Sequence, residues 1–346
     1  IRHSFLPHFM VIFYNIFCII SRGLAKKYLN FQTLQYTSIK IYDKIYLKIM
    51  YIWLIKFFTF IGTLLSGLVF NFHKPIKGIK TKHNIRYKKT KVNAHERLDI
   101  HYHKDYKAGD KLKPIIVYFH GGGWAGYSKG IYSTLSRRLA KKGYVVFNVN
   151  YSLAPVYKMD KIIADCLKAV LFAKDVAKNY GGDGSKIILA GDSAGAHISA
   201  MITSMINSDE YELFEFKGCI KGLLLFYGVY DINTMLTSKF PNIRTYAKAC
   251  LKGKSKDIEE NNKYSPIRYV NSSFPPCFMA SGEIDKLHQS QSMAMAEKLK
   301  QNGVYVDTLF FEKRELRAMH AYMIFDGLET NVETLERVDK FLQEIF

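Results

Sequence analysis

The chain has 346 residues, of which 48% are hydrophobic and 23% charged. This size and composition exclude a disordered protein and fit one large folded domain with an appendage. The net charge of +20 would suit a nucleic-acid partner, but residues 1–91 hold 16 of the Lys and Arg residues and a single acid, Asp43. The rest of the chain carries only a small positive excess and no nucleic-acid-binding motif is visible, so we expect no nucleic-acid partner.

The cysteines and histidines do not indicate a disulfide framework or a metal site. The five cysteines are widely scattered, at positions 18, 166, 219, 250 and 277, which predicts reduced thiols. His101 and His103 lie in a segment, residues 98–103, that alternates like a β-strand. We therefore expect these histidines on a solvated strand face and expect no bound metal.

The N-terminal 91 residues are both the most apolar and the most basic part of the chain. Residues 50–70 form a run of 21 residues with one charge, Lys56. At about 1.5 Å per residue, such a helix could cross the roughly 30 Å hydrocarbon core of a membrane. An earlier apolar run, residues 5–20, is shorter and is compatible with a signal-like segment, a short span or an interfacial helix.

A series of cations with no acid among them follows the longer apolar run. These cations are Lys74, Lys77, Lys80, Lys82, Arg86, Lys88, Lys89 and Lys91. Next to an anionic membrane each contributes about 1 kcal/mol, so residues 50–70 and this basic stretch predict membrane association. The same stretch favours a cytoplasmic location for the downstream domain, although basic residues between 22 and 48 on the other flank oppose that orientation. The alternative is that residues 1–91 form a buried cap over the rest of the protein.

From about residue 92 onwards, short β-rich runs alternate with helical stretches. The expected strands are residues 115–119, 144–149, 186–190, 220–226, 277–280 and 304–311. The expected helices are residues 132–142, 160–180, 194–206, 290–302 and 332–346. This alternation predicts βαβ crossovers and a mostly parallel sheet in a domain spanning residues 92–346. Residues 232–270 interrupt the pattern as a polar, Lys-rich insertion, which we expect to form a cap.

The segment 186–201 contains the strongest chemical signal. An apolar strand runs into Gly191-Asp192-Ser193-Ala194-Gly195 and then into a helix. This is the strand–turn–helix setting in which a nucleophile elbow holds a strained serine above the sheet. Glycines are expected at 191 and 195 because side chains there would collide with the neighbouring strand and helix. We therefore predict that Ser193 is a nucleophile.

A serine hydroxyl needs a histidine base, and that base needs an acid to orient it. Only three histidines follow Ser193, at positions 197, 288 and 320. His320 follows the last expected strand and precedes the C-terminal helix, so we predict that it is the base. Asp285 follows the strand 277–280 and is the expected acid, with Glu283 as the local rival and Asp231 as a more distant one.

A glycine run follows the strand 115–119, where backbone N–H groups can approach a developing oxyanion without obstruction. The run is His120-Gly121-Gly122-Gly123-Trp124. We expect N–H groups of Gly121, Gly122 and Ala194 to form the oxyanion hole.

Together these motifs resemble the hormone-sensitive-lipase family of esterases and lipases. The resemblance rests on the glycine loop, on Asn150-Tyr-Ser-Leu-Ala-Pro155, on the Ser193 pentapeptide and on the order Ser193, Asp285, His320. It covers roughly residues 92–346. It implies an α/β-hydrolase fold with an eight-stranded, mostly parallel sheet flanked by helices, a helical cap and no cofactor. It also implies that Asp192 helps to hold the glycine loop, supported by His120, Gly123 and Trp124.

These parts predict hydrolysis of small-molecule carboxylic esters, including lipids, through an acyl-enzyme. The first alternative keeps the triad but makes the enzyme an amidase, formamidase or deacetylase. The second is a ligand-binding protein with a hydrolase fold and no catalysis.

Overall fold

The computed structural model describes residues 74–88, 95–208, 213–252 and 257–346. Within these ranges the strands form one eight-stranded sheet in the order β1-β2-β4-β3-β5-β6-β7-β8. The strands are β1 Ile79–Arg86, β2 Arg97–His103, β3 Lys113–Phe119, β4 Val145–Val149, β5 Gly182–Asp192, β6 Ile220–Phe226, β7 Cys277–Gly282 and β8 Val306–Phe311. The β1–β2 and β2–β4 pairs are antiparallel, whereas all pairs from β4 to β8 are parallel. The expected eight-stranded α/β-hydrolase sheet is confirmed.

Helices cover both faces of this sheet. The α-helices are α1 Ser133–Lys141, α2 Met159–Val176, α3 Ala194–Ile206, α4 Ile232–Thr237, α5 Ile243–Cys250, α6 Ile258–Lys263, α7 Ala294–Gln301 and α8 Glu329–Ile345. The predicted strands and helices all occur, with boundaries shifted by a few residues. The expected helix over residues 290–302 is α7 preceded by a π-helical stretch, His288–Met293.

The continuous apolar runs of the central strands reflect burial on both faces. In β3, Ile115, Val117 and Phe119 pack into one hydrophobic core, whereas Ile116 and Tyr118 pack into a second core on the opposite face. A parallel sheet covered by helices on both sides demands apolar residues at consecutive positions, because successive side chains point to opposite faces.

Two findings at the start of the sheet differ from the predictions. Strand β1 lies before the expected domain boundary at residue 92, and it pairs along β2 from Ile79 to Arg86. As an edge strand it is largely exposed and carries many charged residues, so no hydrophobic pattern marks it. The prediction that residues 98–103 form a strand is confirmed. However, His101 is not on a solvated face: its side chain is wholly buried and is hydrogen-bonded to the Thr81 hydroxyl.

The predicted apolar span, residues 50–70, lies outside the described residues. Of the helices in residues 74–88, 95–208, 213–252 and 257–346, none is long and apolar enough to cross a membrane. The insertion over residues 232–270 contains α4, α5 and α6 in its described part. Its assignment as a cap stays a prediction.

Candidate active site

Strand β5 ends at Asp192, and helix α3 begins at Ala194, so Ser193 occupies the single residue between them. Its backbone adopts φ 49° and ψ −116°, and this positive φ is strained for any residue other than glycine. The two flanking glycines make this turn possible. A Cβ atom at Gly191 would collide with the backbone of Gly195, and one at Gly195 would collide with the carbonyl oxygen of Phe119. The predicted reason for both glycines is therefore confirmed.

The structure brings the three side chains predicted as a triad into one hydrogen-bonded row. His320 Nε2 lies 2.9 Å from Ser193 Oγ. On the other side of the ring, His320 Nδ1 lies 2.7 Å from the Oδ2 atom of Asp285. Asp285 is almost entirely buried, and the His320 side chain is 10% exposed. Because a carboxylate only accepts hydrogen bonds, Asp285 keeps the proton on Nδ1 and leaves Nε2 free to accept one from Ser193.

The rival acids are held elsewhere. Asp285 lies in the turn after β7, where its Oδ1 atom accepts the N–H of Leu287. Glu283, two residues earlier, accepts the backbone N–H of Lys313 instead. Asp231 caps the N-terminus of α4 by accepting the N–H of Asn233. Of the three carboxylates, only Asp285 reaches His320.

Two aromatic rings flank His320. Tyr227, which follows β6, packs against the imidazole with ring centroids 5.0 Å apart. Phe240, from the insertion, lies edge-to-face with the imidazole at 4.6 Å. A second insertion residue, Tyr246, places its ring directly over the Cα atom of Gly123. Nothing in the local sequence of these aromatic residues indicates which distant loop they cover, so the sequence did not predict them as site residues.

The hydrogen bonds of the glycine loop differ from the predicted oxyanion hole in one respect. The N–H of Gly121 donates to Asp192 Oδ1 at 2.9 Å, so it is not available to a substrate oxygen, and its assignment as an oxyanion donor is wrong. Gly122 and Gly123 have φ values of 112° and 58°. Within the described part of the chain, the N–H groups of these two glycines donate to no protein acceptor. The sequence could not reveal that the first glycine of the run bonds to the residue before the nucleophile.

Asp192 is the centre of a buried polar cluster beneath the glycine loop. Besides Gly121, it accepts hydrogen bonds from Tyr132 at 2.8 Å and Tyr118 at 3.3 Å. Burial raises the pKa of Asp192 to about 6, although the hydrogen bond from Tyr132 acts in the opposite direction. This cluster joins β3, β5 and the start of α1, so the loop and the elbow are held in register.

His120 supports the loop from the other side. Its ring stacks on Tyr151 with centroids 4.3 Å apart, and the Tyr151 hydroxyl donates to the His120 carbonyl at 2.6 Å. His120 Nδ1 lies 2.7 Å from the carbonyl oxygen of Gly121. These contacts make His120 part of the scaffold of the loop rather than a group that faces the opening.

The buried histidines predict that acid destabilises the fold. Burial lowers the pKa of His101 to about 3, and those of His120 and His197 to about 4. Each binds a proton more readily when unfolded, so the free energy of unfolding falls as the pH falls below about 6.5. Asp192 has a raised pKa, so its protonation in the folded state stabilises the fold as the pH falls below about 6. This gain cancels the loss of stability caused by about one histidine. Near pH 5 the free energy of unfolding therefore falls by about 2 to 3 kcal/mol for each pH unit. Each proton that only the unfolded chain binds contributes about 1.4 kcal/mol of this change.

Urea unfolding followed by far-ultraviolet circular dichroism between pH 7.5 and 4.5 measures this loss. The control is the His197→Gln variant, whose pH slope should be smaller by about one proton. An unfolding free energy that is constant or that rises towards pH 5 contradicts the prediction.

Within the described ranges, no group of three or more His, Cys, Asp or Glu side chains could hold a metal ion. The groups gathered at Ser193 are the serine, a histidine, a buried carboxylate and unpaired backbone N–H groups. Such a set can transfer an acyl group from a substrate carbonyl to a serine and then to water.

Comparison with known proteins finds several named esterases among the relatives of this chain. It is 29% identical to Esterase LipQ of Mycobacterium tuberculosis over 60% of this chain, and it spans only 50% of the length of that protein. It is 32% identical to a kynurenine formamidase of Salmo salar over 66% of each chain. The solved structure of the Pyrobaculum calidifontis esterase superimposes with a TM-score of 0.67 at 21% identity, covering 85% of this chain and 94% of that one. This likeness confirms the α/β-hydrolase fold.

The family model named BD-FAE matches residues 98–299, which include all but the first residue of β2, the glycine loop, the elbow and Asp285. These matches confirm the resemblance that the motifs indicated to the hormone-sensitive-lipase-like esterases. Since the family match covers more than half of the sequence, the chain belongs to the BD-FAE family.

Proposed function

We propose that this protein is a serine hydrolase that cleaves small-molecule carboxylic esters through an acyl-enzyme intermediate. The single observation that carries the proposal is the continuous row from Asp285 through His320 to Ser193, with contacts of 2.7 and 2.9 Å. The esterase relatives support the same chemistry. The partner is accordingly a short- to medium-chain acyl ester or a lipid.

In this mechanism Ser193 Oγ attacks the ester carbonyl while His320 Nε2 takes its proton. His320 then gives the proton to the leaving alcohol, and an acyl–Ser193 ester remains. A water molecule, activated by the same nitrogen, attacks this ester and releases the acid. Asp285 stays ionised throughout and stabilises the imidazolium that forms in each half-reaction.

The N–H groups of Gly122, Gly123 and Ala194 are the proposed oxyanion donors. Gly122 and Gly123 supply unpaired N–H groups from the loop, and Ala194 supplies one from the first turn of α3, where helical N–H groups have no intrahelical acceptor. Each donor of this kind typically lowers the barrier by about 3 kcal/mol.

The insertion supplies the proposed wall of the substrate site. Phe240 lies against the base and Tyr246 lies against Gly123, so an ester bound at Ser193 would touch both rings. Aromatic surfaces next to the base and the glycine loop favour a substrate with apolar groups next to the ester bond.

Labelling with a fluorophosphonate tests the proposal directly. The probe should modify the protein with a stoichiometry of about one, and peptide mass spectrometry should find the adduct on Ser193, because the reaction needs both an activated serine and an oxyanion hole. Heat-denatured protein is the control. Absence of labelling in folded protein would instead support the non-catalytic, ligand-binding alternative.

The amide alternative is favoured by one observation, the identity to kynurenine formamidase. A p-nitrophenyl butyrate and its anilide counterpart differ only in the scissile bond. An ester hydrolase should turn over the ester with the much larger kcat/KM, whereas comparable values would favour the amidase.

We also propose that the full chain associates with membranes through residues 50–70. In support, the cations Lys74, Lys77, Lys80, Lys82 and Arg86 are all exposed and follow that run. Sedimentation with vesicles of 30% phosphatidylserine should deplete the full chain from the supernatant, and a chain starting at residue 71 should bind less. Full-length protein that remains in the supernatant without detergent would contradict this proposal. If it does bind, protease access in sealed membranes tests the cytoplasmic orientation.

A further inference from the structure

His197 is a fully buried histidine that the proposed reaction does not use. It lies on α3, one helical turn after Ser193, where its backbone N–H donates to the Ser193 carbonyl at 3.1 Å. Its ring contacts two different parts of the chain. A histidine in such a place is either a packing residue or a link between the parts that it joins.

The two ring nitrogens of His197 contact Trp124 and Tyr264. Trp124 Nε1 donates to Nδ1 at 3.3 Å, and Nε2 donates to the backbone carbonyl of Tyr264 at 2.8 Å. Trp124 directly follows Gly123, and Tyr264 belongs to the insertion over residues 232–270. The imidazole thus connects the glycine loop to the insertion through the helix that carries Ser193.

These partners permit only one form of the ring. An indole N–H can only donate, so Nδ1 must be unprotonated, and a carbonyl can only accept, so Nε2 must carry the proton. Burial lowers the pKa of His197 to about 4, which keeps the ring in this neutral form at neutral pH. The indole and imidazole rings also meet edge-to-face, with centroids 5.1 Å apart.

The position of Trp124 bears directly on the oxyanion donors. Trp124 has a left-handed backbone with φ 58°, as does Gly123 before it. Its carbonyl accepts the N–H of Ala154 at 2.8 Å, and its side chain is 1% exposed. The backbone and the side chain of Trp124 therefore both anchor the C-terminal end of the glycine loop, and His197 provides the polar half of the side-chain anchor.

We propose that His197 is a positioning residue that holds Gly122 and Gly123 at the distance from Ser193 that the oxyanion requires. It does so by tying Trp124 to α3 and to the insertion. This inference rests on the proposed function. It differs from simple packing because it predicts a loss in the transition state, where the N–H donors act, rather than a loss of substrate binding.

Variants at the two ends of the Trp124–His197 bond test the inference. His197→Phe keeps the ring shape and removes both hydrogen bonds, whereas His197→Gln offers one acceptor and one donor in similar places. Trp124→Phe removes the indole donor. For p-nitrophenyl butyrate, we expect His197→Phe and Trp124→Phe each to lower kcat by about 10- to 100-fold, with KM changed less than about threefold. His197→Gln should recover most of the activity.

Two further measurements separate positioning from folding. The double variant His197→Phe/Trp124→Phe should be little slower than either single variant, because both remove the same bond. The rate of fluorophosphonate inactivation should fall in parallel with kcat, since the phosphoryl oxygen enters the same hole. Thermal unfolding is recorded for every variant.

Three results overturn the inference. They are a kcat within about twofold of the wild type in folded His197→Phe or Trp124→Phe, additive losses in the double variant, and equal losses in His197→Gln and His197→Phe. If His197→Phe does not fold, Trp124→Phe and His197→Gln decide alone. If the wild type neither hydrolyses the ester nor labels at Ser193, the proposed function fails. An active wild type with unaffected variants refutes only the role of His197.

Discussion

Replacing Ser193 with Ala is expected to lower kcat for p-nitrophenyl butyrate by about 10⁴- to 10⁶-fold. The hydroxyl is the proposed nucleophile, and without it His320 can only assist direct attack by water. KM should change much less, because the oxyanion donors and the aromatic wall remain. Initial rates at saturating substrate, together with the thermal unfolding midpoint, measure the effect.

Helix α3 itself offers the matched control for this substitution. Ser199 is buried six residues after Ser193, and its hydroxyl has no hydrogen-bond partner among the described residues. Ser199→Ala should therefore keep nearly the full kcat. A Ser193→Ala enzyme that retained even a tenth of the wild-type kcat would remove Ser193 from the reaction and, with it, the acyl-enzyme mechanism.

Replacing Asp285 with Asn is expected to lower kcat by about 10³- to 10⁴-fold. In the wild type, Asp285 Oδ2 can only accept, so the proton stays on His320 Nδ1. An asparagine can present its NH₂ group there, which makes Nδ1 the acceptor and moves the proton to Nε2. His320 would then face Ser193 with a proton and could not act as its base. The loss should shrink at high pH, where hydroxide can remove the serine proton.

Glu283→Gln is the control for Asp285→Asn, because Glu283 lies two residues away in the same turn and was the rival acid. Its carboxylate accepts the N–H of Lys313, a bond that the amide oxygen of glutamine can keep. We expect kcat within about threefold of the wild type. A larger loss in Glu283→Gln than in Asp285→Asn would exchange the two assignments.

The contacts that join distant parts of the site are not visible in any single motif. Asp192 ties the glycine loop to the elbow through Gly121 and Tyr132. From the insertion, Phe240 contacts the base and Tyr246 contacts the glycine loop. We therefore expect changes in the insertion to alter both substrate choice and the geometry of the oxyanion donors.

Patterns that depend on neighbours in the chain could be predicted from the sequence. Alternation of apolar runs with helical stretches predicts the parallel sheet, because each central strand must be apolar on both faces. The elbow could be predicted for the same reason. The strained turn at Ser193 fits its surroundings only because glycines lie two residues before it and two residues after it. Strand β1 could not be predicted in this way, because an exposed, charged edge strand carries no hydrophobic period.

The sequence by itself determined the fold class, the strained serine and the order of the chemical groups along the chain, because these follow from local sterics and periodicity. Only the tertiary structure decided which carboxylate meets His320, which glycine N–H is occupied by Asp192, and that His197 joins Trp124 to Tyr264. Each of these depends on bringing together residues 35 or more positions apart. A hydrogen bond requires donor and acceptor to meet within a few tenths of an ångström, and over such separations only the packing of the whole domain sets that distance.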